Sequence, residues 1–65
     1  MQYQNLHELV AHSRSSRNYF LSLPVELQIQ LSEHSAYIRT AAQLRLRAEH
    51  MRAYNRLLAL SDHQN

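Results

Sequence analysis

The sequence predicts an all-α fold, a small irregular bundle of three or four helices with a long C-terminal helix. Three observations carry that expectation. The 65 residues include no glycine and a single proline, so the tight turns that join paired strands lack their usual residue. Leu, Ala, Gln, Arg and Glu dominate the chain, with few Val, Ile or Thr, and these are residues that lose little on entering a helix. Asn5 with Glu8, and Thr40 with Gln43, stand at the spacing of a capping box ahead of apolar runs.

Each element can be placed in order. Asn5 opens a first helix that runs to about His12 and buries Leu6, Leu9 and Val10. Ser13-Arg14-Ser15-Ser16 interrupts it, because serine side chains compete for backbone hydrogen bonds. Ser16 is then expected to cap a second short helix over 17–22, turning Tyr19, Phe20 and Leu23 inward. Pro24 disfavours helix at Leu23 and suits the first position of a third helix reaching about His34, with Glu26 complementing its dipole. Val25, Leu27, Ile29 and Leu31 alternate with polar residues, which is a strand pattern. With no glycine turn and no second strand to pair with, the segment is read as helix. Ser35 to Arg39 forms a connection with Tyr37 and Ile38 tucked beneath it. Thr40 caps the longest helix, Ala41 to about Leu60, which is expected to end at Ser61-Asp62 and leave His63-Gln64-Asn65 frayed. The whole chain, 1–65, is one helical domain.

The stretch Ser16-Arg17-Asn18-Tyr19-Phe20-Leu21-Ser22-Leu23-Pro24, followed by Gln28, Leu31, Ile38 and Ala41-Ala42-Gln43-Leu44, resembles a group of small uncharacterised proteins from Firmicutes. In that group a YFxSLP-like segment precedes a short helix and a second, longer one. The resemblance spans about the middle half of the chain. It implies a bacterial, cytoplasmic origin and brings no function with it.

Size and composition narrow the function classes. A chain this short buries only about 60% of its unfolded surface, and a single core of this size yields roughly 3–5 kcal/mol. There is no cysteine, which removes disulfides and thiolate metal sites. The five histidines do not share a ligand face: His7 and His12 are five apart, and His34, His50 and His63 lie in separate segments. Only Glu8 and His12 have helical spacing, so no metal and no cofactor are expected. Without glycine there is neither a phosphate-cradling loop nor a nucleophile elbow. The serines near His12 read as a loop and a cap rather than a triad, and so short a chain leaves little room for a substrate pocket. The expectation is a protein that is not an enzyme and takes no small-molecule substrate. The first dozen residues lack the features of a secretory signal, and the longest apolar run, Leu57-Leu58-Ala59-Leu60, is too short to cross a bilayer. The expected location is cytoplasmic.

Two binding readings remain. All seven basic residues are arginines, and the formal charge is +2. Arg14 and Arg17, in the run beginning at His12, are candidate phosphate contacts beside a helix start. Pro24 to His34 followed by Ala41 onward loosely matches a helix-turn-helix, but about six residues separate the helices where three or four are usual. A small nucleic-acid-binding regulator is therefore the alternative.

The long helix carries the preferred reading. At about 100° per residue, Leu44, Ala48, Met51 and Leu58 form one apolar stripe, and Leu46, Ala53, Leu57 and Leu60 form another. A surface helix normally has one. One stripe is expected to pack internally and the other to face a partner. Leu46, Ala53, Leu57 and Leu60 are the candidate interface, because they cluster towards the end of the chain, where few other elements reach. The function expected is a non-enzymatic protein–protein interaction module that self-associates through its C-terminal helix, as a homodimer, or binds another protein partner there. Thermal melts with and without a strong chelator should superimpose; a large drop on chelation would reveal a structural metal.

Overall fold

The computed structural model describes residues 2–63, with side chains from 2 to 60. Four α-helices follow one another: α1, Leu6–His12; α2, Arg14–Ser22; α3, Val25–Glu33; and α4, Ala41–His63, with a 3₁₀ turn, Ser35–Tyr37, before the last. No strand occurs among the described residues. The molecule is elongated, 44 × 19 × 16 Å, because α4 alone spans about 35 Å at 1.5 Å per residue.

The capping chemistry explains most boundaries. The Asn5 carboxamide oxygen accepts from the Glu8 N–H at 2.9 Å and starts α1. The Thr40 hydroxyl accepts from the Gln43 N–H at 3.1 Å, while the Gln43 side chain accepts from the Arg39 N–H at 2.8 Å. That is a capping box whose return bond falls one residue early. Pro24 sits at the cap of α3 rather than its first helical residue, with φ −55° and ψ 147°. Gln28 then reaches back from α3 and donates to the Leu23 carbonyl at 2.9 Å, satisfying a group that the end of α2 leaves open.

Four sequence expectations are corrected. Ser13, not Ser16, caps α2: its hydroxyl accepts from the Ser16 N–H, so the helix begins at Arg14. Ser16 is instead buried, its hydroxyl accepting from Ser13 at 3.1 Å. Ser13 lies in extended conformation, so one residue ends α1 and starts α2. Tyr37 is not tucked under the connection but 64% exposed, whereas its neighbour Ile38 is fully buried. A 3₁₀ turn points successive side chains in different directions, so only one of the two reaches the core. Tyr19 and Phe20 lie half-buried against the core, which of their cluster takes in only Leu23 fully. Finally, α4 runs through Ser61-Asp62 to His63, since neither residue breaks a helix as glycine or proline does. The expected frayed tail, apart from His63, lies outside the described residues.

The core is one cluster of Leu6, Leu9, Leu23, Leu27, Leu31, Ile38, Leu44 and Ala48. Helices α1, α3 and α4 contribute directly, Leu23 and Ile38 come from the residues that follow α2 and the 3₁₀ turn, and Tyr3, Val10 and Met51 pack on its margin. The N-terminal segment is tied across the bundle: the Tyr3 N–H donates to the Arg39 carbonyl at 2.8 Å, and the Arg39 Nε donates to the Tyr3 carbonyl at 3.1 Å. The Leu6 N–H donates to the Ser35 hydroxyl at 3.2 Å. Leu31, wholly buried at the centre, is the most sensitive point. Leu31→Ala should cost about 2–5 kcal/mol, comparable to the entire stability of so small a domain, and chemical denaturation followed by circular dichroism should find the variant largely unfolded.

Candidate interaction surface

Only the first half of α4 is clasped by the bundle. Leu44 and Ala48 are buried and Met51 half-buried. The same row continues with Asn55, whose side chain exchanges two hydrogen bonds with Gln30 of α3, at 3.3 and 3.0 Å. This amide pair is the last described hydrogen bond between α4 and the body. Leu58, next on that row, is already 48% exposed.

Two arginine–tyrosine contacts border the clasped side. The Arg45 guanidinium lies 4.4 Å from the centre of the Tyr19 ring, and that of Arg47 lies 5.9 Å from the Tyr37 ring. Between these borders, on the side away from the core, lie Leu46, Ala53, Leu57 and Leu60. All four are exposed, the leucines at 54%, 64% and 53%. Tyr54, 61% exposed, and Leu58 widen the surface beyond the four residues expected from sequence. At 100° per residue, the arc from Leu60 through Ala53, Leu57 and Tyr54 to Leu58 covers roughly 160° of the helix. Leu58 belongs by periodicity to the other stripe, with Leu44, Ala48 and Met51, and Tyr54 lies in the gap between the two. Asn55 carried no periodicity signal, because an asparagine interrupting a leucine row looks like a solvent position until its partner is known.

The remaining surface offers less. A depression of about 400 Å³ runs along the outer side of α3, lined by Phe20, Val25, Gln28, Ile29, Ser32 and Glu33. It is wide open to solvent. A smaller one, about 200 Å³, lies between the start of α3 and α4. Among the described residues no three of His, Asp or Glu gather as metal ligands. No helix there is long and apolar enough to cross a membrane.

Three of the arginines, Arg45, Arg52 and Arg56, are exposed along one side of α4 within about 40° of one another, with Glu49 among them. Arg14 and Arg17 are both exposed on the first turn of α2, where Ser13 already occupies the cap. Arg39, Arg45 and Arg47 are engaged with Tyr3, Tyr19 and Tyr37 respectively. His12 is stacked on Tyr3, ring centres 6.0 Å apart. Compared with known proteins, the chain matches no family model, no curated protein and no solved structure.

The Gln30–Asn55 pair sets how far α4 is held. Asn55→Ala should cost about 1 kcal/mol, the usual net worth of such hydrogen bonds, and amide exchange should speed up from residue 55 to residue 60 while the rates at Leu44 and Ala48 change little.

Proposed function

We propose that this protein is a non-enzymatic, cytoplasmic self-association module that binds a second copy of itself through the outward side of α4. The observation that supports the reading is the exposed apolar surface of Leu46, Ala53, Tyr54, Leu57, Leu58 and Leu60 on a helix whose opposite side already serves the core. Contiguous apolar surface of this kind is uncommon on soluble monomers and usually marks an interaction site. The size of the chain adds to the case. Domains of this length without disulfides commonly gain stability from a second copy, and a two-fold dimer is the commonest arrangement.

Self-association makes a direct prediction about two leucines of the same helix. Sedimentation equilibrium should show a concentration-dependent dimer. Leu57→Glu should give a folded monomer, with the helical content of the dilute wild type. Leu44→Glu, at the buried row, should give an unfolded chain, because an unpaired carboxylate would be placed in the core. A wild-type chain that stays monomeric at millimolar concentration would overturn the reading.

A further inference from the structure

The outward side of α4 contains a more specific pattern than a patch. Gln43, Leu46, His50, Ala53, Leu57 and Leu60 follow one another at intervals of three, four, three, four and three residues, and all six are exposed. That alternation is the seam of a two-stranded coiled coil, with Gln43, His50 and Leu57 at one of its two core positions and Leu46, Ala53 and Leu60 at the other. The row lies about 160° around the helix from Leu44, Ala48 and Met51, so a second helix can approach it without meeting the body. Glu49 and Arg56 flank the seam on one side, Arg47 and Tyr54 on the other; all four are exposed.

We propose that two copies pair through this seam antiparallel, in the register that sets Leu46 against the partner's Leu57 and His50 against the partner's Ala53. The proposal rests on the self-association reading and adds its direction and register. The flanking charges decide the direction. In an antiparallel pair each flanking row meets its own counterpart running the other way. Glu49 then faces the partner's Arg56, and the two-fold axis repeats the contact. On the other edge Arg47 faces the partner's Tyr54, a guanidinium beside an aromatic ring, also twice. A parallel pair would set Glu49 beside the partner's Tyr54 and bring the two His50 side chains together on the axis. It forms no opposite-charge contact at all.

The seam residues fit the antiparallel register as well. Each large side chain near the centre meets a small one, His50 against the partner's Ala53, and leucine layers close over them on both sides. A polar residue within such a seam fixes register more than it adds stability. A slip by one heptad would place Leu57 against the partner's Ala53 and move His50 opposite the partner's Leu60. It would also leave Arg56 opposite its own counterpart, a repulsive contact.

The chain has no cysteine, so introduced thiols report position without interference. Leu46→Cys and Leu57→Cys proteins, mixed and oxidised, should form the mixed disulfide dimer, and each alone should form little. In the antiparallel register a residue 46 lies about 16 Å along the axis from its own copy, beyond the reach of a disulfide. Glu49→Arg should weaken the dimer roughly tenfold, and adding Arg56→Glu to the same chain should restore it. A Leu46→Cys protein that links readily to itself, or a charge swap that restores nothing, would overturn the direction and register while leaving the dimer standing. A wild-type chain that shows no dimer by sedimentation would remove the self-association reading and this inference together.

Discussion

Three short helices can cover one side of a long one and no more, and the rest of this structure depends on that shortage. The helices α1 to α3 bring Leu6, Leu9, Leu23, Leu27 and Leu31 to the core, with Ile38 from the connection. Each fully buried leucine contributes on the order of 1.5–3 kcal/mol before entropy is counted. Against them α4, although 23 residues long, commits only Leu44 and Ala48 completely. Ala48 is fully buried and presents only a methyl group to the bundle there. Past that point the body tapers, and the contact becomes polar at Gln30 and Asn55 before ending. What α4 carries beyond is apolar surface that no other described residue covers.

The edges of that surface are as informative as its centre. Tyr19 and Tyr37 come from different elements, yet each meets an arginine of α4. A guanidinium against a ring shields apolar area while keeping its charge in water. The two contacts therefore mark where the internal packing of the domain stops. Arg45 and Arg47 are drawn into this role by their position on the helix.

Much of the fold was legible from residues alone, because caps and breakers act locally. Asn5, Thr40 and Pro24 each do what their side chains dictate within four residues. The serine run was harder: Ser13 and Ser16 are both good caps, and the choice is settled by burial of Ser16, which depends on how α1 and α2 pack together. Tyr37 and Ile38 are adjacent and similarly apolar, so only the geometry of the turn separates them. The two stripes of α4 followed from periodicity. Which one faces outward did not, since helical spacing is symmetric until the positions of the other helices are known. The preference for the stripe nearer the C-terminus rested on counting elements within reach, and the exposure of Leu46, Leu57 and Leu60 follows from the same shortage.

Ser13 has a consequence for how a chain like this can change length. It is the sole residue between α1 and α2, held extended at φ −116° and ψ 108°, and every described residue has negative φ. The joint contains no slack. One inserted residue would swing α2 by about 100° about its axis, lifting Ser16 out of the interior and aiming Leu23 away from Leu27 and Leu31. Gains and losses of residues are thus confined to places where nothing downstream must keep its phase. Among homologous sequences the interval from Asn5 to Pro24 should be constant in length, whereas the free end of α4 can lengthen or shorten in steps of seven without disturbing the bundle.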